Sequence, residues 1–357
     1  MSINGEKFNK ALRNFKFWLS RAINYPLVNP DVIQIPLTNL CNLRCKMCSI
    51  ARDDDRELSK EIILDIINQA SAMGIKEVVL TGGEPFLRKD IFDVLNYCHP
   101  KSMRWVVTTN GTLINRDLAQ KLVSSGPGHL HFSLDGLEKT NDFFRGEGSF
   151  KKTIDAIKTI NEIRNKNGFS LSVGIACTVM NRNLKDLSGL LEYTDTINVD
   201  VINFQPVLKN NANTPDRSDS DFWVDNKELI DLDNAIDRIK NYRGRHVNVY
   251  QEPDLRLFSK YYRRKLNKSD WRCFGGYKTI FICLGDDVSP LVYTCHGICG
   301  NLNKISLKKA WISQSAQKLR KQAKKCKKLC LQSCYSRESS SNLKNVLGAL
   351  ISEGANG

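Results

Sequence analysis

Cys41-Asn-Leu-Arg-Cys45-Lys-Met-Cys48 places three thiols within eight residues. Three thiolates so spaced can wrap one side of a cubane iron–sulfur cluster. They leave one iron without a protein donor, the kind of vacancy that catalytic metal sites keep and structural sites close. Two other chemistries use the same residue type. A zinc site needs a fourth ligand, and the first histidine along the chain is His99, far off in sequence though open in space. A redox dithiol pairs two cysteines near a thioredoxin-like unit, which describes this segment poorly.

The chain has twelve cysteines in all. Its N-terminus alternates Lys and Arg with apolar residues and shows no secretory core, so metal ligation is expected of them before disulfides. Seven fall between Cys273 and Cys334: Cys273, Cys283, Cys295, Cys299, Cys326, Cys330 and Cys334. Thiolates suit zinc as well as iron, and both readings stay open for this second group. Cys283 and Cys299 are the lesser candidates as ligands: Cys283 lies in the strand-like run Thr279–Leu284, where packing is the other reading, and Cys299 is intermediate. Cys98 is expected on an outer helix without a role. Cys177 lies on a strand, either as a hydrogen donor to a radical or as a small core residue.

Positioning the first group requires a scaffold, and the chain supplies an alternation of strand-like and helix-like segments from residue 31 onward. Strands are expected at Asp31–Leu37, Glu77–Thr81, Trp105–Thr109, His129–Leu134, Leu171–Thr178 and Val199–Pro206. Helices are expected between them at Ser59–Met73, Ile91–Tyr97, Arg116–Ser124, Phe150–Arg164 and Leu184–Tyr193. Six such repeats imply an α/β fold with a parallel sheet, either a partial barrel or an open doubly wound sheet. Cys41 follows the first strand, at the strand end where barrels assemble active sites.

The cysteine spacing, with Met47 before the last thiol, resembles that of the radical S-adenosylmethionine superfamily. Further segments agree in order. Gly82-Gly83-Glu84-Pro85, after the second strand, is similar to the family motif that holds the methionine amino group. Its glycines would let backbone approach a ligand closely. Thr109-Asn110-Gly111 and Ser133-Leu134-Asp135-Gly136 resemble segments lining the cofactor's ribose and carboxylate. Arg145 resembles the arginine that meets the methionine carboxylate, a task suited to a forked, permanent charge. Asn203-Phe204-Gln205-Pro206 ends the sixth strand, where family members contact adenine. The resemblance covers roughly residues 31–207. It implies a partial (β/α)6 TIM-like barrel, a [4Fe–4S] cluster on Cys41, Cys45 and Cys48, and bound S-adenosylmethionine. The implied reaction is reductive cleavage to a 5′-deoxyadenosyl radical that abstracts hydrogen from a substrate.

Beyond the barrel, Val292–Cys295, Gly300–Leu302 and Ala310-Trp311 resemble the auxiliary-cluster extension called SPASM, or its shorter twitch form. The resemblance implies one or two further iron–sulfur clusters, with Cys273, Cys295, Cys326, Cys330 and Cys334 as ligands, in an oxidoreductase-type enzyme. Gly285 fits the glycine expected after Cys273. Asp286–Pro290 reads as an insertion, and the last three cysteines depart from the family spacing. The expected organisation is a helical lead at 1–30, the barrel at 31–207, a linker at 208–270, a small auxiliary-cluster domain at 271–335 and a tail at 336–357.

Composition is that of a soluble globular enzyme, with 41% hydrophobic and 25% charged residues. The formal charge of +15 favours acidic partners or a solvated basic surface. Lys304–Lys328 is rich in Lys and Arg and has no acidic residue, a surface for an acidic substrate or a reducing flavoprotein. Peptide modification commonly accompanies such auxiliary domains, so an acidic precursor peptide is the expected substrate. The roughly 30 residues before the first strand are too few for a winged peptide-recognition domain, so a separate recognition protein is expected. The alternatives are oxidation or epimerisation of a sugar or aminocyclitol, and a non-catalytic metal-binding scaffold. A flavodoxin- or ferredoxin-like donor is the expected reductant, and no nucleic acid is expected. A cytoplasmic location is expected. The lead, with Phe8, Leu12, Phe15, Leu19 and Ile23 at helical spacing, reads as a basic amphipathic helix packed on the outside, with membrane-surface contact the lesser reading. Lys209–Asp221 reads as an exposed loop or lid, Lys227–Lys240 as a helix and Leu343–Ile351 as an amphipathic packing segment.

Overall fold

Apolar and polar residues alternate along the strands, and this decides what the sheet encloses. The computed structural model describes residues 3–48, 54–168, 170–208, 221–250 and 253–332. The expected loop or lid at Lys209–Asp221 (all but its last residue), Cys334 and the segment at 343–351 lie outside the described residues. Six strands run in order: β1 (Val32–Thr38), β2 (Glu77–Gly82), β3 (Arg104–Thr109), β4 (Gly128–Ser133), β5 (Ser172–Val179) and β6 (Val201–Pro206). Each neighbouring pair is parallel. A short β7 (Asn248–Val249) extends the sheet parallel to β6. Ile33, Ile35 and Leu37 of β1 are buried, as are Val78 and Leu80 of β2, while the alternate positions Gln34 and Thr81 are only partly so. The same parity gives Thr108, His131, Ser133, Thr178 and Gln205. The six strands thus turn their apolar side to the helices and a polar side inward, as a barrel wall does.

Helices α2 (Lys60–Ala72), α3 (Ile91–Cys98), α4 (Arg116–Ser124), α5 (Glu138–Arg145), α6 (Ser149–Asn167) and α7 (Leu187–Thr196) connect the strands. Local chemistry starts them: Ser59 accepts from the Ile62 amide and Asn115 from the Leu118 amide. Ile63, Ile66, Ile67 and Ala70 form the stripe that α2 buries. The alternation read from the sequence is present with shifts of a few residues at strand and helix ends. Helix α5 was not expected, and it proves central to the site.

After β6 come α8 (Leu229–Asn241) and α9 (Phe258–Tyr262), then β8 (Thr279–Leu284), β9 (Pro290–Thr294) and β10 (Gly297–Asn301), followed by α10 (Leu307–Ile312) and α11 (Gln314–Lys325). The C-terminal strands do not stand apart as a separate sheet. β8 pairs parallel with β1, and β9 and β10 continue antiparallel, giving one sheet in the order β10-β9-β8-β1-β2-β3-β4-β5-β6-β7. Asp286–Pro290 contains the turn of the β8–β9 hairpin, closed by Gly285 N donating to Ser289 O at 2.9 Å.

The lead forms α1 (Ile3–Ile23). Phe17 is fully buried with Phe274 and Tyr277, and the Arg21 side chain donates to the Cys273 carbonyl at 2.9 Å. The helix therefore packs on the C-terminal module. Among the described residues no helix is long and apolar enough to cross a membrane.

Candidate functional site

At the C-terminal ends of the strands lies a cavity of about 290 Å³, and Cys41, Cys45 and Cys48 all line it. Their loop is held at both ends by backbone pairing. Gly83 N donates to Thr38 O and Glu84 N to Leu40 O, each at 2.7 Å. A Cβ on Gly82 would stand 2.2 Å from Thr38 O, and one on Gly83 would stand 1.9 Å from Leu40 O. The expectation that these glycines let backbone approach a ligand is thereby modified: they admit the cysteine loop itself. On the other side, Lys46 N donates to Phe144 O of α5 at 2.8 Å, and the Lys46 ammonium sits 3.6 Å from the Phe143 ring centroid.

Glu84 is 1% exposed and serves as the junction of the motifs. Its carboxylate accepts from Thr109 Oγ1 at 2.7 Å, Asn110 N at 2.8 Å and Phe86 N at 3.2 Å. Burial raises its pKa, and the three donors oppose that rise. Asn110 Nδ2 donates to Asn42 Oδ1 at 2.9 Å, and the Asn42 amide donates to Thr112 Oγ1 at 2.9 Å. The third-strand motif is thus tied to the cysteine loop. Burial also raises the Cys41 and Cys45 thiols, with Glu84 and Cys48 adding to the rise at Cys41, and Cys48 and Cys41 to that at Cys45. The Arg145 charge opposes the rise at Cys45, so the guanidinium stands within electrostatic reach of that thiol.

Of the residues expected at the cofactor, Met47, Gly82, Gly83, Glu84, Thr109, Asn110, Ser133 and Arg145 line this cavity. Pro85, Asp135 and Gln205 do not. Pro85 is buried in the turn Pro85–Leu87, and Gln205 lies on β6 opposite Thr178. Asp135 is wholly buried and committed elsewhere: it pairs with Arg145 at 2.7 Å and accepts from Thr178 N at 2.8 Å. It positions Arg145 and has no surface to offer a ligand. Asn39, Thr81, Thr108 and Thr178 also line the cavity and went unread, because a lone asparagine after a strand or a lone threonine within one carries no motif.

Cys177 does not line the cavity, contrary to a hydrogen-donor role. It is 1% exposed and shares the buried parity of Ile175 and Val179, alternating with the inward Thr178. Cys98 donates to Val94 O within α3 and is fully buried, as expected of a packing residue. No histidine lines the cavity, so His99 does not complete a zinc site there. Among the described residues no three His, Cys, Asp or Glu groups converge on a single ion. A cubane differs from a single ion in presenting separate irons to separate thiolates, so its ligands stand apart from one another. Three half-buried free thiols on one cavity wall fit such a cluster with one open iron.

A second cavity of about 420 Å³ gathers Cys273, Cys295, Cys326 and Cys330. Burial raises the Cys273, Cys295 and Cys330 thiols, and neighbouring thiols add to the rise: Cys330 and Cys295 at Cys273, Cys326 at Cys295, and Cys295 and Cys326 at Cys330. Burial pushes Cys330 up to about 11. Cys283 and Cys299 do not line this cavity: the first sits in β8 and the second is buried in β10. The His296 Nε2 atom is buried there without a partner. Four free thiols around one space fit a fully ligated cluster.

Comparison with known proteins agrees with this geometry. Residues 35–194 match the model of the Radical SAM superfamily. Among curated relatives, Fe-coproporphyrin III synthase of Methanosarcina barkeri is 32% identical over 184 residues, 50% of this chain and 45% of that protein. The chain thus spans about half the length of that relative. A probable GTP 3′,8-cyclase of Saccharolobus islandicus is 30% identical over 222 residues, 60% of this chain and 70% of that one. The structure of Streptococcus suis SuiB bound to its precursor peptide SuiA superposes with a TM-score of 0.64 at 19% identity, covering 92% of this chain and 79% of that one.

Proposed function

From the premise that this chain belongs to the radical SAM superfamily, we propose that it modifies a peptide by radical hydrogen abstraction. One observation carries the catalytic part of this reading: the cysteine triplet shares a single cavity with Gly83, Glu84, Asn110 and Ser133 at successive strand ends and with Arg145 of α5. Cys41, Cys45 and Cys48 would hold a [4Fe–4S] cluster, which when reduced supplies the electron that splits S-adenosylmethionine into methionine and a 5′-deoxyadenosyl radical. Arg145, braced by Asp135, would offer its guanidinium to the cofactor carboxylate. The backbone around Gly83 and Glu84 would hold the amino group, with Met47 lining the same cavity, and Asn110 and Ser133 would serve the ribose. Enclosure of the cofactor would keep water and stray hydrogen donors from the radical.

Cys273, Cys295, Cys326 and Cys330 would hold an auxiliary cluster of the SPASM or twitch type, in an oxygen-sensitive cytoplasmic oxidoreductase. The peptide reading is supported by the likeness to peptide-bound SuiB along 92% of the chain and by the charge of +15. A second reading, a small-molecule substrate, is favoured by relatives described as Fe-coproporphyrin III synthase and AdoMet-dependent heme synthase.

Electron paramagnetic resonance tests the site. Adding S-adenosylmethionine to the anaerobically reconstituted, reduced protein shifts a cluster signal that Cys45→Ala lacks. A fully iron-loaded protein whose spectrum ignores the cofactor would sink the proposal. The substrate is tested by 5′-deoxyadenosine formation: acceleration by an acidic peptide supports the first reading, acceleration by a tetrapyrrole the second.

A further inference from the structure

Basic side chains ring the four-cysteine cavity: Arg21, Lys268, Arg272, Lys324 and Lys328 line it, and among the described residues no carboxylate does. Residues 304–328 carry ten Lys and Arg and no Asp or Glu, against a net charge of +15 for the whole chain. Several cations elsewhere are neutralised by a carboxylate: Arg88 by Asp90, Arg145 by Asp135 and Arg164 by Asp200. Around the second cavity they are not. Arg21 donates to Cys273 O, Lys324 Nζ to Ala22 O at 2.9 Å and Lys268 Nζ to Lys325 O at 3.3 Å. Among the described residues none of the five forms an ion pair with a carboxylate. Asp270, the nearest acid in sequence, is engaged by Lys260 at 2.6 Å. Lys268, Lys324 and Lys328 are exposed.

The place of this rim in the fold matters as much as its charge. Cys273 precedes β8 and Cys295 follows β9, so the cavity borders the N-terminal end of β8, which lies in register with the start of β1 (Val32 opposite Thr279). The cysteine triplet leaves the other end of β1. Seven strand residues between them amount to about 20 Å. A metal centre in the second cavity therefore stands away from the radical site and beside a solvent-facing cationic surface.

We propose that this rim is the docking surface for a small acidic electron-carrier protein, which delivers electrons through the second cavity. The proposal rests on the reading that the four cysteines hold a metal centre. One electron leaves the carrier's reduced flavin or iron–sulfur group, which is oxidised by one electron. A centre held by Cys273, Cys295, Cys326 and Cys330 would be reduced by one, with no bond made or broken. A carrier is favoured over an acidic peptide here because the rim encloses the four thiols and lies about a strand's length from the radical cavity, where a peptide must react. Opposed charge would speed encounter and make it sensitive to salt.

The test uses an acidic flavodoxin, reduced to its hydroquinone, with the anaerobically reconstituted full chain. Affinity is measured at low and raised salt for the wild type, for K268E/K324E/K328E, and for K151E/K152E/K158E, whose exposed lysines lie on α6. The expected results are a tenfold or greater loss of affinity on raising the salt, and a similar loss for the rim variant at low salt. The rim variant should retain wild-type iron content, and the α6 variant should bind as the wild type does. Equal affinity for the rim variant, or equal weakening by the α6 variant, overturns the docking surface. So does binding of an acidic peptide to the rim when flavodoxin shows none. The underlying reading fails separately, if Cys273→Ala leaves the iron content unchanged.

Discussion

A methyl group on Gly83 would stand 1.9 Å from Leu40 O, with no flexible side chain to yield, because the obstacle is backbone. Gly83→Ala should therefore cost about 4 kcal/mol or more, or detach the cysteine loop, read as a lower unfolding midpoint and loss of iron. Asp135→Ala leaves the part-buried Arg145 guanidinium without its anion and should destabilise by about 3 kcal/mol, the low end for a buried pair. Weaker S-adenosylmethionine binding, measured by calorimetry, should accompany it. His129 offers a prediction in pH. Burial, then its neighbour His131, lowers its pKa to about 2 from the ordinary 6.5. The folded chain thus refuses a proton that the unfolded chain accepts. Its contribution is present above the ordinary value and is lost as pH falls below it, by up to about 1.4 kcal/mol per pH unit. Denaturant melts at pH 7 and pH 5 should show His129→Gln losing less stability than the wild type across that interval. The motif residues of the main cavity were legible because glycines, cysteines and an arginine in fixed order are rare. Asp135 was legible as present and misread in role, since its commitment to Arg145 and Thr178 N is a contact across the fold.

At the scale of elements, periodicity found the six strands and most of the helices, because each buries one face on a single scaffold. Helix α5 escaped for want of length: eight residues with only Asn141 and Phe144 buried leave too little periodic signal. Yet α5 carries Arg145 and receives the Lys46 amide, so it helps seat the triplet. Helix α1 acts as a clasp, joining Phe17 to Phe274 and Tyr277 and Arg21 to Cys273. Phe17→Ala should cost about 3–5 kcal/mol. Hydrogen exchange should show the loss in residues 273–277 and α11 before it shows in β2–β5. Equal loosening throughout would mean that α1 belongs to the barrel core.

Across the whole molecule, one sheet carries both cavities, the triplet beyond the C-terminal end of β1 and the four-cysteine group at the N-terminal end of β8. That continuity was not legible, since the pairing of β8 with β1 joins residues some 250 positions apart and leaves no local pattern. The grouping of Cys273, Cys295, Cys326 and Cys330 was legible through the family resemblance and Cys283 was set apart by its strand-like run, while the place of Cys299 needed the register of β10. The central claim concerns the triplet, and anaerobic release of 5′-deoxyadenosine from S-adenosylmethionine tests it most directly. The reconstituted, reduced protein should form the nucleoside, and Cys45→Ala should form none. A wild-type protein with a full complement of iron that forms none, or a variant that forms it undiminished, would contradict the account.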